Sequence, residues 1–358
     1  MVYAFRWALA AGEDRQSAAR RLLQEALRRG AVGAVLVPAE LPGGAGVAYA
    51  LATRPERLAS AVPLARAMPQ FGPQDLVRAT EPGGGPMRIA AVLRPCEARA
   101  VVELVKLKQV DPSGLVLISP DCPGTVELED YAASRGMPEK DLPLRLACRI
   151  CRRPVAGKDV DVALGTAGAR DDELLLIAQT ERGRAFLEAA GAQAIELPHG
   201  RAHAVARLVA RGEEAHDAQE RASRERFGRP GALESALATC IKCMNCMNVC
   251  PVCYCKECLL YTDAFNPTAG ALADKARRRG VVRVPTETAQ FHLTRMAHVM
   301  TACVMCGQCE SACPTGVPLL ELYAGVNRRV QALFDYEAGR SVDEAPPFTE
   351  FREDEDFS

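Results

Sequence analysis

The stretch CIKCMNCMNVCP at residues 240–251 is matched in its spacing by CVMCGQCESACP at residues 303–314. In each stretch, two residues separate the first three cysteines, three residues precede the fourth, and a proline follows it. Bacterial ferredoxins bind [4Fe–4S] clusters with this spacing, and the iron of such clusters prefers thiolate ligands. The alternative is a pair of zinc sites, which generally use separated pairs of ligands. The repeat therefore predicts two [4Fe–4S] clusters.

Each of the two clusters is expected to take ligands from both stretches. In two-cluster ferredoxins, the fourth cysteine of one run usually binds the cluster of the other run. The first predicted ligand set, which we call site 1, is Cys240, Cys243, Cys246 and Cys313. The second predicted set, site 2, is Cys303, Cys306, Cys309 and Cys250.

Helical patterns flank the second run. Apolar residues at i, i+3, i+4 and i+7 predict a helix over residues 286–300, and a further amphipathic helix begins at Leu319 and ends near Gly339. We expect packing or surface roles for His292 and His298 on the first of these helices, because each cluster already has four thiolates. The C-terminal part is thus predicted to be a mainly α-helical two-cluster ferredoxin domain.

The N-terminal part has the pattern of a βαβ unit. Residues 87–93 and 115–119 are apolar runs suited to buried strands, and residues 97–109 between them have a helical apolar face. Strands joined in this way are parallel with a right-handed crossover. Cys96 and Cys122 each follow the carboxyl end of one strand, so both are expected at the ligand-binding edge of the sheet. An α/β N-terminal domain with a parallel βαβ core is therefore predicted.

A third group of cysteines converges on that edge. Cys148 and Cys151 form a CxxC pair before a predicted strand over residues 160–164, and with Cys96 and Cys122 they offer four thiolates. We predict a third [4Fe–4S] cluster there, called site 3. By spacing alone these residues could instead be buried small apolar side chains, a redox dithiol or a zinc site.

Four motifs in this region resemble one known family. They are RPCEARAVVEL at residues 94–104, SPDCPGT at 119–125, CRICRRP at 148–154 and DVDVALGTAG at 159–168. They look like the beta subunits of deazaflavin-reducing hydrogenases and formate dehydrogenases, over residues 30–168. FHLTRM at residues 291–296, with the second cysteine run, is similar to the C-terminal cluster domain of formate dehydrogenase beta subunits.

The resemblance implies an electron-carrying role. Members pass electrons between a catalytic or disulfide-reducing partner subunit and a flavin, and the family's cysteines matching site 3 hold a [4Fe–4S] cluster beside that flavin. The family's early Gly-Gly near the flavin is replaced here by Gln16 and Ser17, on a helix that Ser17 is expected to cap and Gly30 to end. Two glycines after a predicted strand, Gly165 and Gly168, could contact an FAD phosphate.

Composition sets the context for these sites. The chain has 358 residues, and 44 Lys and Arg against 45 Asp and Glu give a net charge of -1. This balance argues against a nucleic-acid partner. No apolar run approaches the ~18 residues of a transmembrane segment, and a signal-peptide core is lacking, so a cytoplasmic location is expected. Disulfides are disfavoured there, which leaves the 15 cysteines for metal binding.

The predicted organisation has four parts: residues 1–210 form the α/β domain, 211–232 a charged, solvated helical linker, 233–345 the ferredoxin domain and 346–358 an acidic tail. We predict an electron-transfer subunit whose partners are hydrogenase, formate dehydrogenase or heterodisulfide-reductase-like subunits. The alternatives are an FAD-containing beta subunit that transfers hydride to or from a deazaflavin or nicotinamide, and a zinc-stabilised interaction scaffold. Three cysteines remain without a predicted role: Cys253, Cys255 and Cys258.

Overall fold

The computed structural model describes residues 3–44, 46–80, 87–134, 141–170, 172–282 and 284–349. Eight strands form one mixed β-sheet in the order β3-β2-β4-β5-β6-β7-β1-β8. Their bounds are β1 (Tyr3–Ala8), β2 (Ala34–Glu40), β3 (Val47–Ala52), β4 (Ile89–Val92), β5 (Leu115–Pro120), β6 (Val162–Gly165), β7 (Glu173–Ala178) and β8 (Gln193–Ile195). The four neighbours β2, β4, β5 and β6 are mutually parallel, and the remaining pairings are antiparallel.

Helices cover the sheet and then form the C-terminal part. The first seven are α1 (Arg15–Arg28), α2 (Gly72–Ala79), α3 (Pro95–Lys106), α4 (Leu128–Ala133), α5 (Leu146–Arg149), α6 (Glu181–Ala190) and α7 (Gly200–Phe227). The next seven are α8 (Ala232–Ala236), α9 (Asn245–Asn248), α10 (Ala269–Arg279), α11 (Thr288–Val299), α12 (Gln308–Ser311), α13 (Leu319–Ala324) and α14 (Asn327–Ala332). Short 3-10 turns lie at Pro42–Gly44, Pro55–Leu58 and Leu259–Tyr261.

The predicted βαβ unit is confirmed as β4-α3-β5, with β4 and β5 in parallel register. The helix begins two residues earlier than predicted, at Pro95, because proline is favourable at the first helical position. The Glu97 carboxylate also accepts a hydrogen bond from the Arg94 backbone N–H at 3.0 Å, which stabilises this first turn. Cys96 therefore lies in the first turn of α3, beyond the carboxyl end of β4.

The central strands are apolar because both faces of the sheet are covered. On β5, Val116 and Ile118 pack into one core cluster with α1 and α6, whereas Leu115 and Leu117 pack into the other with α2 and α3. Parallel strands between two helical layers have this continuous apolar pattern. Since every residue of β5 is buried, the polar groups that follow it are fixed at the edge of the sheet.

Helix α1 has a different cap from the predicted one. Asp14, not Ser17, is the N-cap, and its carboxylate accepts the Ser17 backbone N–H at 2.7 Å. A carboxylate is as good a cap as a hydroxyl and also interacts favourably with the helix dipole. Gly30 follows the helix end with a φ of 70°, as the prediction required.

The C-terminal part is helical, as predicted, and packs around the two cysteine runs. Helix α11 lies within the predicted 286–300 segment, but the helix predicted from Leu319 is divided into α13 and α14. Between them, the Gly325 backbone comes close to the Ser223 side chain of α7. The side chain of Asn327 then donates to the Cys303 carbonyl at 3.0 Å. These tertiary contacts end α13 earlier than the local pattern suggests.

Helix α7 contains most of the predicted linker and is not simply solvated. It buries His216, Glu220 and Ser223 on one face, and Arg328 of α14 pairs with Glu220 at 2.7 Å. The expectation of a solvated connector is therefore wrong for this face, because α7 packs along α13 and the cysteine-bearing loops. The domain boundaries themselves stay a prediction.

Two further contacts tie the C-terminal part to α3. Arg99 donates to the Val304 carbonyl at 3.0 Å, and the buried Tyr336 hydroxyl donates to the Glu103 carboxylate at 2.6 Å. Phe348, in the predicted acidic tail, packs edge-to-face on Phe334 at 4.9 Å between ring centroids. Residues 350–358 of that tail lie outside the described residues. Within the described ranges, no helix has both the length and the apolar character to cross a membrane.

Candidate metal centres

The four cysteines of site 1 line one cavity of about 310 Å³. Cys313 comes from the second run, so the chain brings together the exchanged ligand set that the spacing predicts. Two backbone N–H groups point at these sulfurs: that of Lys242 lies 3.4 Å from Cys240 Sγ, and that of Val317 lies 3.3 Å from Cys313 Sγ. Donors so placed stabilise negative charge on ligated sulfur. The donor set therefore fits an iron–sulfur cluster.

His292 of α11 makes a contact that its sequence pattern did not predict. Its Nε2 lies 3.2 Å from Cys240 Sγ, and both side chains are buried. Burial lowers the pKa of His292 to about 4, so its ring is neutral at pH 7. Its Nδ1 has no hydrogen-bond partner among the described residues. In its Nε2–H tautomer the ring would donate to the sulfur of a ligated Cys240. The packing role predicted for His292 is thus supplemented by this contact, while His298 is exposed.

The cysteines of site 2 are buried or half-buried in one core cluster. Burial and, after it, the charge of Cys250 together raise the pKa of Cys303 to about 12. Burial and the charge of Cys250 also raise the pKa of Cys306. Burial raises the pKa of Cys309 as well, with a smaller contribution from the charge of Cys250. Cys250 is the one member from the first run. It lies in the same core cluster as the other three, so the fold brings this predicted set together as well.

One of the unassigned cysteines touches this site. Cys253 donates a hydrogen bond to Cys250, which lowers the pKa of the Cys250 thiol and raises that of Cys253. Cys258 is half-buried and Cys255 is exposed. Cys253 therefore packs beside a ligand of site 2, whereas Cys255 lies at the surface.

A buried arginine lies between sites 1 and 2. Arg295 is 1% exposed and donates to the Cys246 carbonyl at 2.9 Å and to the Tyr323 hydroxyl at 2.5 Å. Burial raises the pKa of Cys246 in site 1 and of Cys309 in site 2, and the charge of Arg295 opposes this rise in both. Arg295 lies three residues after His292, so both face the cysteines from one side of α11. Arg295 lies in the FHLTRM motif, but the sequence pattern indicates no role for it.

The four cysteines of site 3 line a larger cavity of about 680 Å³, which is open to solvent. Cys96 and Cys122 reach it from the ends of β4 and β5, as the topology predicts. Cys148 and Cys151 reach it from α5 and the turn after it, where a loop was expected. The backbone N–H of Thr125 lies 3.2 Å from Cys148 Sγ. Burial raises the pKa of Cys122 to about 11.

Site 3 adjoins site 2. Cys306 and Met305 of the second cysteine run line the same cavity as the four site 3 cysteines. The charge of Cys306 is the largest effect on the pKa of Cys96 after burial, and both raise it. Arg145 supports this junction by donating to the Cys306 carbonyl at 3.2 Å. The sequence did not predict that the two sites meet.

Helix α7 closes site 3 on one side. A Cβ atom at Gly212 would lie 2.0 Å from the Cys151 carbonyl oxygen, so only glycine allows this approach of helix and turn. The basic side chains around the cavity are Arg94, Arg149, Arg153 and Arg211. Their positive charge favours thiolate ligands and an anionic cluster.

The loop that holds the two predicted flavin-binding glycines is organised by a buried ion pair. Asp121 accepts two hydrogen bonds from Arg201, at 2.7 and 2.9 Å, and also the Thr166 and Ala167 backbone N–H groups at 2.9 Å each. A Cβ at Gly165 would lie 2.9 Å from the Arg201 guanidinium, and one at Gly168 would lie 2.8 Å from Arg201 Cα. Close packing against Arg201 is a sufficient reason for both glycines, and flavin contact there stays a prediction.

Comparison with known proteins covers the cysteines of sites 1 and 2. Residues 236–317 match the model of the 4Fe-4S dicluster domain, a range that contains all eight cysteines of sites 1 and 2. A relative from Methanocaldococcus jannaschii, the F420-dependent formate dehydrogenase subunit beta, is 24% identical over 307 residues, which are 73% of this chain and 75% of that protein.

A solved chain of the F420-reducing [NiFe] hydrogenase complex from Methanosarcina barkeri aligns with a TM-score of 0.48 and 14% identity, over 63% of this chain and 91% of its own length. The similarity to the Methanocaldococcus jannaschii subunit confirms the resemblance to deazaflavin-linked beta subunits that the motifs predict. The helical C-terminal part holds the segment, residues 236–317, that matches the 4Fe-4S dicluster domain.

Proposed function

We propose that this chain is an electron-relay subunit that binds three [4Fe–4S] clusters within an oxidoreductase complex. The observation that carries the proposal is the junction of the sites: Cys306 of site 2 lines the cavity of the four site 3 cysteines. A relay requires closely spaced redox centres, and a zinc-stabilised scaffold would have no need of such a junction.

The ligands in this proposal are the twelve cysteines of sites 1, 2 and 3, as the sequence predicts them. When bound, each cluster supplies one-electron redox chemistry at iron. The chain's own groups hold the sulfurs in place and donate hydrogen bonds to them. Three clusters arranged in this way lead from the edge of the sheet, through site 2, to the partly exposed site 1.

The kind of partner subunit is proposed from the Methanocaldococcus jannaschii relative. Because that protein is named as the beta subunit of an F420-dependent formate dehydrogenase, we propose that this chain exchanges electrons with a catalytic subunit of formate dehydrogenase, hydrogenase or heterodisulfide-reductase type. We also propose a cytoplasmic location, since that environment keeps the thiols reduced. FAD near site 3 stays a prediction, and flavin absorbance of the purified chain tests it.

Iron stoichiometry tests the relay. The intact chain, purified without oxygen, should carry about 12 iron atoms, four for each cluster. Cys96→Ala should remove about four of them and leave the EPR signals of the other two clusters unchanged. Cys255→Ala is the matched control, because Cys255 is exposed and belongs to no site. It should keep the full load.

Other outcomes would reject the proposal in part or in whole. About eight iron atoms in the unaltered chain, unchanged by Cys96→Ala, would remove site 3 from the relay. Zinc in place of iron would favour the interaction scaffold. Oxidation of formate or hydrogen by the purified chain alone would contradict the relay role, because such activity requires a catalytic site of its own.

A further inference from the structure

Helix α10 lacks the tertiary packing that normally stabilises a helix. It spans Ala269–Arg279, and none of its residues is buried. An isolated helix of this length is marginal in water, because most helical stability in proteins comes from packing an apolar face. After it, Val281 and Val284 are 77% and 68% exposed. This segment between the two cysteine runs therefore presents a surface for a partner to cover.

The same segment is basic. Three arginines end α10, and of these Arg277 pairs with Asp274 at 2.6 Å. The described residues offer no ion-pair partner within bonding distance to Arg278 or Arg279. Such like charges repel each other, and an acidic surface would neutralise them.

This basic segment adjoins site 1. Lys242, the neighbour of the exposed ligand Cys243, donates from its Nζ to the Thr286 carbonyl at 3.2 Å. The next residue, Glu287, contacts Lys275 of α10, and the charges of Arg279 and Lys242 both lower its pKa. The positive charges of Lys275 and Arg279 therefore lie near the same carboxylate as Lys242, the neighbour of the exposed Cys243.

We propose that this surface docks an acidic electron-carrier protein, which exchanges electrons with the chain through site 1. We call it the basic docking surface and define it by Lys242, Lys275, Arg278, Arg279, Val281 and Val284. The inference rests on the proposed relay and adds the place where electrons enter or leave. The positive charges attract the carrier, the two valines supply apolar contact, and Cys243 is the exposed predicted ligand of site 1.

Flavodoxin is a suitable probe, because it is acidic and carries single electrons. In the test reaction its anionic hydroquinone loses one electron and becomes the neutral semiquinone, while the chain gains that electron and no bond forms or breaks. The absorbance of the semiquinone gives the second-order rate constant in a stopped-flow experiment with the iron-loaded, full-length chain.

The expected result is a rate constant that falls about tenfold or more between low and high ionic strength, as for other electrostatically steered encounters. The double variant Arg278→Glu/Arg279→Glu should react about tenfold more slowly at low ionic strength and lose most of the salt dependence. The matched control is Arg54→Glu/Arg57→Glu, two exposed arginines on the α/β part, which makes the same change in net charge. It should behave like the unaltered chain.

Three results would overturn the proposal. The first is an α10 variant that reacts at the same rate as the unaltered chain. The second is a control that slows equally, which would assign the effect to net charge. A dimer seen by sedimentation and lost in the α10 variant would mean that a second copy covers the surface. Iron content and reduction by dithionite are measured first. Failure there rejects the relay itself, whereas a loaded, reducible chain with an unaffected α10 variant rejects only the docking surface.

Discussion

At the scale of single residues, sites 1 and 2 differ in the groups that touch their sulfurs. Cys240 in site 1 is contacted by Nε2 of the neutral His292, which would donate to a ligated sulfur in its Nε2–H tautomer. The buried charge of Arg295 acts on Cys246 of site 1 and on Cys309 of site 2. Hydrogen bonds to ligand sulfur stabilise the reduced, more negative state and raise the reduction potential. His292 is therefore expected to distinguish two clusters that otherwise have the same ligand spacing.

Replacing His292 with leucine should make the reduction potential of one C-terminal cluster more negative. The side chain keeps an apolar volume in the buried position but loses the Nε2–H donor. A redox titration followed by EPR measures the change cluster by cluster. His298→Leu on the same helix is the control, because His298 is exposed and makes no such contact. Equal potentials in the His292 variant and the unaltered chain would show that this hydrogen bond is absent when the cluster is bound.

The cap of α1 allows a second test at this scale. Asp14→Ala should cost about 1 kcal/mol, which lowers the melting temperature of the α/β part by roughly 2–4 °C. The Ser17 backbone N–H lowers the pKa of Asp14, so its stabilisation is present above the ordinary carboxyl pKa and is lost as the pH falls through the lowered value. Asp14→Asn keeps the cap and should lose less. Calorimetry at pH 7 and pH 3 would reveal the difference, and an unchanged difference at pH 3 would exclude the charge as its source.

At the scale of elements, α7 links the parts of the molecule. It begins at the Asp121–Arg201 ion pair, passes over the turn that holds Cys151 and ends against α13. Asp121 follows β5, Cys151 belongs to the CxxC pair, and α13 follows the second cysteine run. Through Gly212, the helix therefore positions Cys151, a predicted ligand of site 3 that lies about sixty residues earlier in the sequence.

Gly212→Ala should displace the Cys151 turn, because its new Cβ would overlap the Cys151 carbonyl oxygen. We expect the loss of about four of twelve iron atoms, with the EPR signals of the C-terminal clusters retained. Gly200→Ala on the same helix is the matched control: no atom lies within 4 Å of its added Cβ, and alanine favours helix. A full iron load in the Gly212 variant would show that α7 does not position Cys151.

Some of these elements could be predicted from the sequence, and others could not. Periodicity and spacing predicted β4, α3, β5, α11 and both C-terminal ligand sets, because these depend on local patterns. They did not predict that α7 buries one face, or that Cys306 meets site 3, because both depend on packing between distant segments. The division between α13 and α14 has the same origin: Asn327 binds a carbonyl of the cysteine loop and fixes the chain there.

At the scale of the whole molecule, the two parts have different sources of stability. The sheet is held by large apolar clusters on both faces. In the C-terminal core, by contrast, cysteines occupy many of the buried positions, including Cys240, Cys246, Cys250 and Cys309. Helices α9 and α12 have four residues each, and α13 and α14 have six, far fewer than an independent helix needs. Bound metal should therefore contribute directly to the folding of this part.

Removal of metal from the full-length chain should consequently unfold one part and spare the other. After anaerobic chelation, we expect circular dichroism to lose helical signal and limited proteolysis to cut within residues 233–345, while the sheet-bearing part resists. Burial raises the pKa of Cys303 to about 12, so this thiol is neutral in the metal-free chain at pH 7. The cause is the loss of the bonds that join the two cysteine runs across the core. Reconstitution with iron and sulfide should restore both signals. An unchanged cleavage pattern after complete metal removal would mean that side-chain packing alone holds the C-terminal helices together.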